Sequence, residues 1–230
     1  MAAFDVGAGL TDQMSDQAIV STQRAQALTA SSKVLRNTYA LLALTLLFSA
    51  LTAALSMAVN APYFGLLSLL PYFGLLYATE KSKNSGWGLV WVFALTGWLG
   101  FTLGPILNHY VGLRGYEPVL LALGGTAAIF LSLSAYVLVT RKELSFMTGF
   151  LAMGMLVAFI AAIANAFLQI QALTLAVSCM FLLLSSALIM WQTSAIIHGG
   201  ETNYISATVG LYVAIYNLFT LLLGFLGQDD

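Results

Sequence analysis

Charge is scarce in this sequence. Only 7% of its 230 residues are Asp, Glu, Lys or Arg, against roughly 25% in a typical soluble domain. Eight basic and nine acidic side chains cannot cover the surface of a water-soluble fold of this size, which excludes a soluble globular enzyme and a disordered scaffold. The net charge is −1 and no stretch is rich in Lys or Arg, so nucleic acid is excluded as a partner, because binding phosphates takes clustered cations. Cysteine occurs once, at Cys179, so no internal disulfide can form. In its apolar run, Cys179 serves as a small hydrophobe.

What the sequence has is apolar length. Hydrophobic residues make up 60% of the chain, gathered into seven runs at 38–59, 61–79, 86–107, 118–140, 146–168, 172–195 and 206–227. Each approaches the ~20 residues that a helix needs to cross a hydrocarbon core of ~30 Å. The runs are continuous, not alternating, so they read as helices rather than barrel strands. The expected fold is an all-α integral membrane protein with seven transmembrane helices over residues 33–230. Residues 1–32 are more polar, with Asp5, Asp12, Asp16 and Arg24 among Ala, Ser, Thr and Gln. They are expected to form a flexible cytoplasmic tail, without the apolar core of a cleaved signal peptide. Pro71 falls in the middle of the second run and is expected to kink it.

The few charges give an orientation. Arg24, Lys33 and Arg36 precede the first run, Lys81 and Lys83 follow the second, and Arg141 and Lys142 follow the fourth. Only Arg114 falls on the other side. Basic residues stay in the cytoplasm, so the N-terminus is expected there and, after seven spans, the C-terminus in the periplasm.

No ionisable Asp, Glu, Lys, Arg or His stands in the middle of any run. Proton relays and ion pathways generally use such groups. His198 and Glu201 have a His-x-x-Glu spacing around Gly199 and Gly200, but two ligands are too few for zinc, and the paired glycines fit a turn. His109 reads as an interfacial residue. No nucleophile–base arrangement or cofactor motif is present, so the chain is read as a non-enzyme without metal or cofactor. The intramembrane candidates are neutral: Gln192, Thr193 and Asn217 as polar groups, Gly210 and Ala214 as packing positions. Asn203, Ala207, Gly210, Ala214 and Asn217 recur at spacings of four and three, one face of a helix. Small residues on such a face let another helix approach closely. Gly100 and Gly104 repeat that logic in the third run.

Two of these segments resemble the bacterial branch of the transmembrane Bax inhibitor motif family, also called the Bax inhibitor-1 family. Gly100-Phe101-Thr102-Leu103-Gly104-Pro105 is similar to its Gly-x-x-Leu-Gly-Pro element, and Ala122-Leu123-Gly124-Gly125-Thr126-Ala127 to its Ala-x-x-x-Thr-Ala element. The similarity strengthens over 33–39, 134–142 and 196–205 and runs from about Lys33 to the C-terminal end. It implies a seven-helix fold whose last helix is enclosed by the other six. It also implies an inner-membrane regulatory protein that binds and inhibits the membrane-anchored ATP-dependent protease FtsH. Calcium-leak members carry an aspartate pair in the last two helices. Gln192 and Ala214 stand at those positions here. The alternative reading, an ion channel or calcium leak, is disfavoured because calcium sites are built with carboxylates.

Overall fold

The computed structural model describes the backbone of residues 3–227 and the side chains of residues 29–227. Within them lie seven α-helices: α1 (Ala3–Ala58), α2 (Leu69–Ser82), α3 (Trp87–Arg114), α4 (Glu117–Thr140), α5 (Thr148–Leu168), α6 (Gln171–Ile197) and α7 (Tyr204–Leu226). Short 3₁₀ turns at Gly65–Ser68 and Ser145–Met147 lead into α2 and α5, and no strand occurs among the described residues. Six helices are long and apolar enough to cross a membrane: all but α2, with α1 counted from Thr29. Of the tail expected at 1–32, the backbone from Ala3 is part of α1. Side chains 1–28 lie outside the described residues.

These six helices, α1 from Thr29 on, are largely apolar all round, as membrane-embedded helices are. Their outer faces show it: Leu51, Leu70, Phe150, Leu183 and Val139 are each at least two-thirds exposed, a surface that suits lipid rather than water. α5 is the extreme, exposing Phe150, Met153, Leu156, Val157, Ile160 and Phe167. The breaks between helices follow from local chemistry. Gly115 ends α3 with φ of +72°, a conformation that glycine adopts without penalty. Glu117 and Pro118 open α4, where proline's missing N–H would have had no partner.

The second expected span is corrected in detail. Its helix begins at Leu69, not near Ala61, and spans 14 residues. Pro71 is therefore in the first turn, where an N–H has no intrahelical acceptor. The mid-helix position expected for it does not occur. The proline inside a helix is instead Pro105 of α3, which α3 passes without ending.

The core gathers around α7, which packs on α1, α2, α3, α4 and α6, while α5 packs on α6. Leu42, Leu95, Ile189, Leu211, Tyr212 and Leu218 are almost wholly buried in one cluster. A second cluster joins Ala53, Leu103, Ala122, Phe219 and Leu223.

Hydrogen bonds tie the loops into two opposite ends. At one end the Asn203 Nδ2 donates to the Lys83 carbonyl (3.1 Å) and the Asn84 Oδ1 (2.9 Å), joining the turn before α7 to the turn after α2. There too Ser194 Oγ donates to the Lys142 carbonyl (2.8 Å) and accepts from the Leu144 N–H (3.0 Å). At the other end Asn108 Nδ2 of α3 donates to the Met57 carbonyl (3.0 Å) at the close of α1.

Candidate functional site

α1 packs closely against α3, and the glycines explain it. Gly97, Gly100 and Gly104 share one face of α3 by their spacing. A Cβ on Gly100 would meet the Ser49 carbonyl and the Thr52 hydroxyl, and one on Gly104 would meet the Ser56 side chain. Hydrogen leaves room where any side chain would force the helices apart, which is the physical content of the Gly-x-x-Leu-Gly-Pro element.

That close approach places a small polar network in the core. Ser49 Oγ and Tyr212 Oη lie 2.5 Å apart, and Tyr212 Oη donates to the Thr96 carbonyl at 3.2 Å. Thr102 Oγ1 and Tyr216 Oη lie 3.3 Å apart, and the two tyrosine rings stack with centroids 6.4 Å apart. The network thus stitches α1, α3 and α7 together. The sequence reading missed it. One signal was available: a tyrosine hydroxyl in an apolar span requires a partner. Which partner was not legible, since Ser49 and Tyr212 are 163 positions apart.

The five candidate residues do not form one cluster. Gln192 is 5% exposed and faces Gly210 across the α6–α7 contact, where a Cβ on Gly210 would stand 2.9 Å from Gln192 Oε1. Thr193 is fully buried and points elsewhere: its hydroxyl donates to the Ile189 carbonyl at 2.8 Å and lies 3.4 Å from Tyr39 Oη of α1. Ala214 is fully buried. Asn217 is partly buried, about 10 Å from Gly210 along the axis at 1.5 Å per residue. The structure therefore joins Gln192 with Gly210, and sets Thr193 and Asn217 apart from them. Asn203, assigned above to the same α7 face, is instead its N-cap: its Oδ1 accepts from the N–H groups of Ile205 (2.9 Å) and Ser206 (3.3 Å).

At the loop-rich end His198 sits between backbone carbonyls. Nδ1 is 2.9 Å from the Ser194 oxygen and Nε2 is 3.1 Å from the Arg141 oxygen. Gly199 takes φ of +76°, and the N–H groups of Gly200 and Glu201 both donate to the Ala195 carbonyl. The imidazole and the two glycines thus close α6 against the end of α4. Among the described residues no three His, Cys, Asp or Glu side chains gather closely enough to hold a metal ion.

Comparison with known proteins assigns this arrangement to a family. The family described as "Inhibitor of apoptosis-promoting Bax1" matches residues 31–230. The chain is 54% identical over 204 residues to an uncharacterized protein of Pseudomonas aeruginosa, covering 86% of this chain and 92% of that one. It is 50% identical over 213 residues to the Modulator of FtsH protease YccA of Escherichia coli K12, covering 92% of this chain and 97% of that one. The Inner membrane protein YccA of Escherichia coli O6:H1 matches to the same extent. With its glycine-lined α1–α3 contact and its all-helical core, the chain belongs to the Bax inhibitor-1 family.

Proposed function

We propose that this protein is a multi-pass inner-membrane regulator that binds the membrane-anchored protease FtsH and lowers its turnover of membrane substrates, without being an enzyme itself. The observation that carries the reading is the 50% identity, over nearly the full length of both chains, to a protein named as a modulator of that protease. The interior adds support: Gln192 and Ala214 replace the carboxylate pair of the family's leak members, and neither can titrate. The physical mechanism is occupancy. The N-terminal segment enters the protease from the cytoplasm, and the tightly packed helical body resists extraction, so the enzyme is held by a slow substrate.

The same reading takes the polypeptide across the bilayer seven times, with the last helix enclosed by the others. Its support is connectivity: residues 59–82 leave the end of the bundle where Asn108 holds Met57 and reach the end where Asn203 holds Lys83.

Copurification in mild detergent tests the binding, and pulse-chase of a membrane substrate tests the inhibition. The protease is expected in the eluate, and the substrate's half-life is expected to lengthen on overexpression. No association together with an unchanged half-life would refute the proposal. Cation flux in proteoliposomes that Gln192→Leu or Asn217→Leu abolishes would favour the leak instead.

A further inference from the structure

α1 and α4 both pack on α3 and α7 and leave a seam between them. Its end near the loops is basic. A cleft there is lined by Ser31, Ser32, Leu35, Leu138, Arg141 and Ile197, and an adjoining one by Arg36 and Tyr39 with the same Ser32, Leu35 and Leu138. Arg36 of α1 and Arg141 at the C-cap of α4 thus border one apolar floor of Leu35 and Leu138. Neither is in an ion pair, since Lys83–Glu80 is the salt bridge found among the described residues. No carboxylate lines either cleft, and Glu143, the nearest in sequence to Arg141, accepts from the Ser145 hydroxyl at 3.0 Å.

Deeper in, beyond the Tyr39 and Phe130 rings whose centroids are 5.9 Å apart, the seam opens into a lateral crevice of about 490 Å³. Short side chains create it: Ala50, Ala53 and Ala54 of α1 and Ala127 of α4 stop short of the opposite wall. The hydroxyls in its lining are already satisfied: Ser49 with Tyr212, Thr126 with the Ala122 carbonyl, and Tyr216 with Thr102. Nothing there calls for water, so hydrocarbon is the suitable filling.

We infer that the α1–α4 seam binds an anionic phospholipid, with its phosphate between Arg36 and Arg141 and an acyl chain running along the seam to the mouth of the crevice. Charge selects the headgroup. Basic pockets between transmembrane helices take anionic headgroups, and guanidinium suits phosphate oxygens in geometry as well as charge. The apolar floor and the crevice select a lipid over a free phosphate. The reach also fits: ten residues of α1 separate Arg36 from Leu46, the first crevice residue, or about 15 Å of helix. That is half of the ~30 Å hydrocarbon core, the depth spanned by the chains of one leaflet. The inference does not depend on the reading as a protease regulator.

Native mass spectrometry of the detergent-purified full chain tests it. The titrants are dioleoyl phosphatidylglycerol, dioleoyl phosphatidylcholine with the same chains, and inorganic phosphate as a chainless competitor. The parent is expected to prefer phosphatidylglycerol and to keep it in the presence of phosphate. Arg36→Gln and Arg141→Gln are each expected to weaken that binding about fivefold, and the double variant about 25-fold, from the loss of one headgroup charge contact per arginine. Lys81→Gln, which removes the same charge elsewhere, is expected to leave it unchanged. The single variants keep the test decisive if the double variant does not fold. Equal affinity for the two lipids, unchanged affinity in both single variants, or displacement of the lipid by inorganic phosphate would each overturn the inference.

Discussion

Glycines in this bundle differ in what they face, and the difference is measurable. A Cβ at Gly100 would meet the carbonyl of Ser49, a backbone atom that moves only if α1 and α3 separate. A Cβ at Gly210 would meet the far end of the Gln192 side chain at 2.9 Å, and a carboxamide can rotate away. Gly100→Ala is therefore expected to cost ~1–3 kcal/mol by overpacking, and Gly210→Ala less than ~1 kcal/mol. At roughly 2–4 °C per kcal/mol for a chain of this size, melting in detergent should separate the two. Equal melting temperatures would mean that the α1–α3 contact is looser than described. Gly210→Leu does exceed what a rotated Gln192 can accommodate and is expected to behave like Gly100→Ala, with lipid-facing Leu51→Ile as the neutral control. Tyr212→Phe probes the neighbouring network. It strips the Ser49 hydroxyl and the Thr96 carbonyl of a shared partner and is expected to cost ~1 kcal/mol. Ser49→Ala on top of it should then add little, since both remove the same bond. Full additivity of the pair would show that the hydroxyls act independently.

Single helices were legible in the sequence wherever apolar length alone decides. The runs at 118–140 and 146–168 match α4 and α5 to within two residues, because charged or polar residues bound them, and the chain leaves each helix in a left-handed turn at Arg141 (φ of +50°) and Gln169 (+53°). The second run failed for a physical reason. Hydropathy reads 61–79 as one apolar stretch, but Pro62, Gly65 at φ of +54° and the 3₁₀ turn up to Ser68 occupy its first half. Turn geometry outweighs hydrophobicity there, and Pro71 marks a helix start rather than a kink. Asn203 shows a second limit. Its spacing to Ala207 matches a helix face, yet its side chain caps the helix, and periodicity cannot tell the residue before a helix from the first one inside it. The candidate site was legible in part: Gln192 and Gly210 were singled out separately, and their mutual contact depends on how α6 and α7 pack. The cap carries a prediction of its own. Asn203→Ala removes two accepted N–H bonds and the ties to Lys83 and Asn84. A cost of ~1–2 kcal/mol is expected in thermal melts, with Asn203→Asp restoring the cap but not the donated bonds. An unchanged melting temperature for the alanine variant would remove the cap from the account of why α7 begins where it does.

For the whole molecule, the decisive quantity is how many times the polypeptide crosses the bilayer, and α2 decides it. Its 14 residues extend about 21 Å at 1.5 Å per residue, short of a ~30 Å core. The 3₁₀ turn at Gly65–Ser68 precedes it directly and adds about 8 Å at 2.0 Å per residue. Together the two segments match the core thickness if they run in line. The Trp98 indole N–H donates to the Ser68 carbonyl at 3.1 Å, so the junction between them is anchored on α3 rather than left to lipid. A crossing made in two pieces puts the termini on opposite sides. Reporter fusions after Ser82 and Leu144 are then expected to read cytoplasmic, and fusions after Gly112 and Asp230 periplasmic. The charges point the same way, since Lys81, Lys83, Arg141 and Lys142 gather at one end of the bundle, as basic residues of a cytoplasmic face would. With the N-terminus in the cytoplasm, all four fusions reverse if residues 59–82 dip into the bilayer and return, and the fusion after Asp230 reports the sum of the crossings. A cytoplasmic reading there, with Ser82 reading periplasmic, would reduce the protein to six crossings and withdraw the enclosed last helix along with the seventh span.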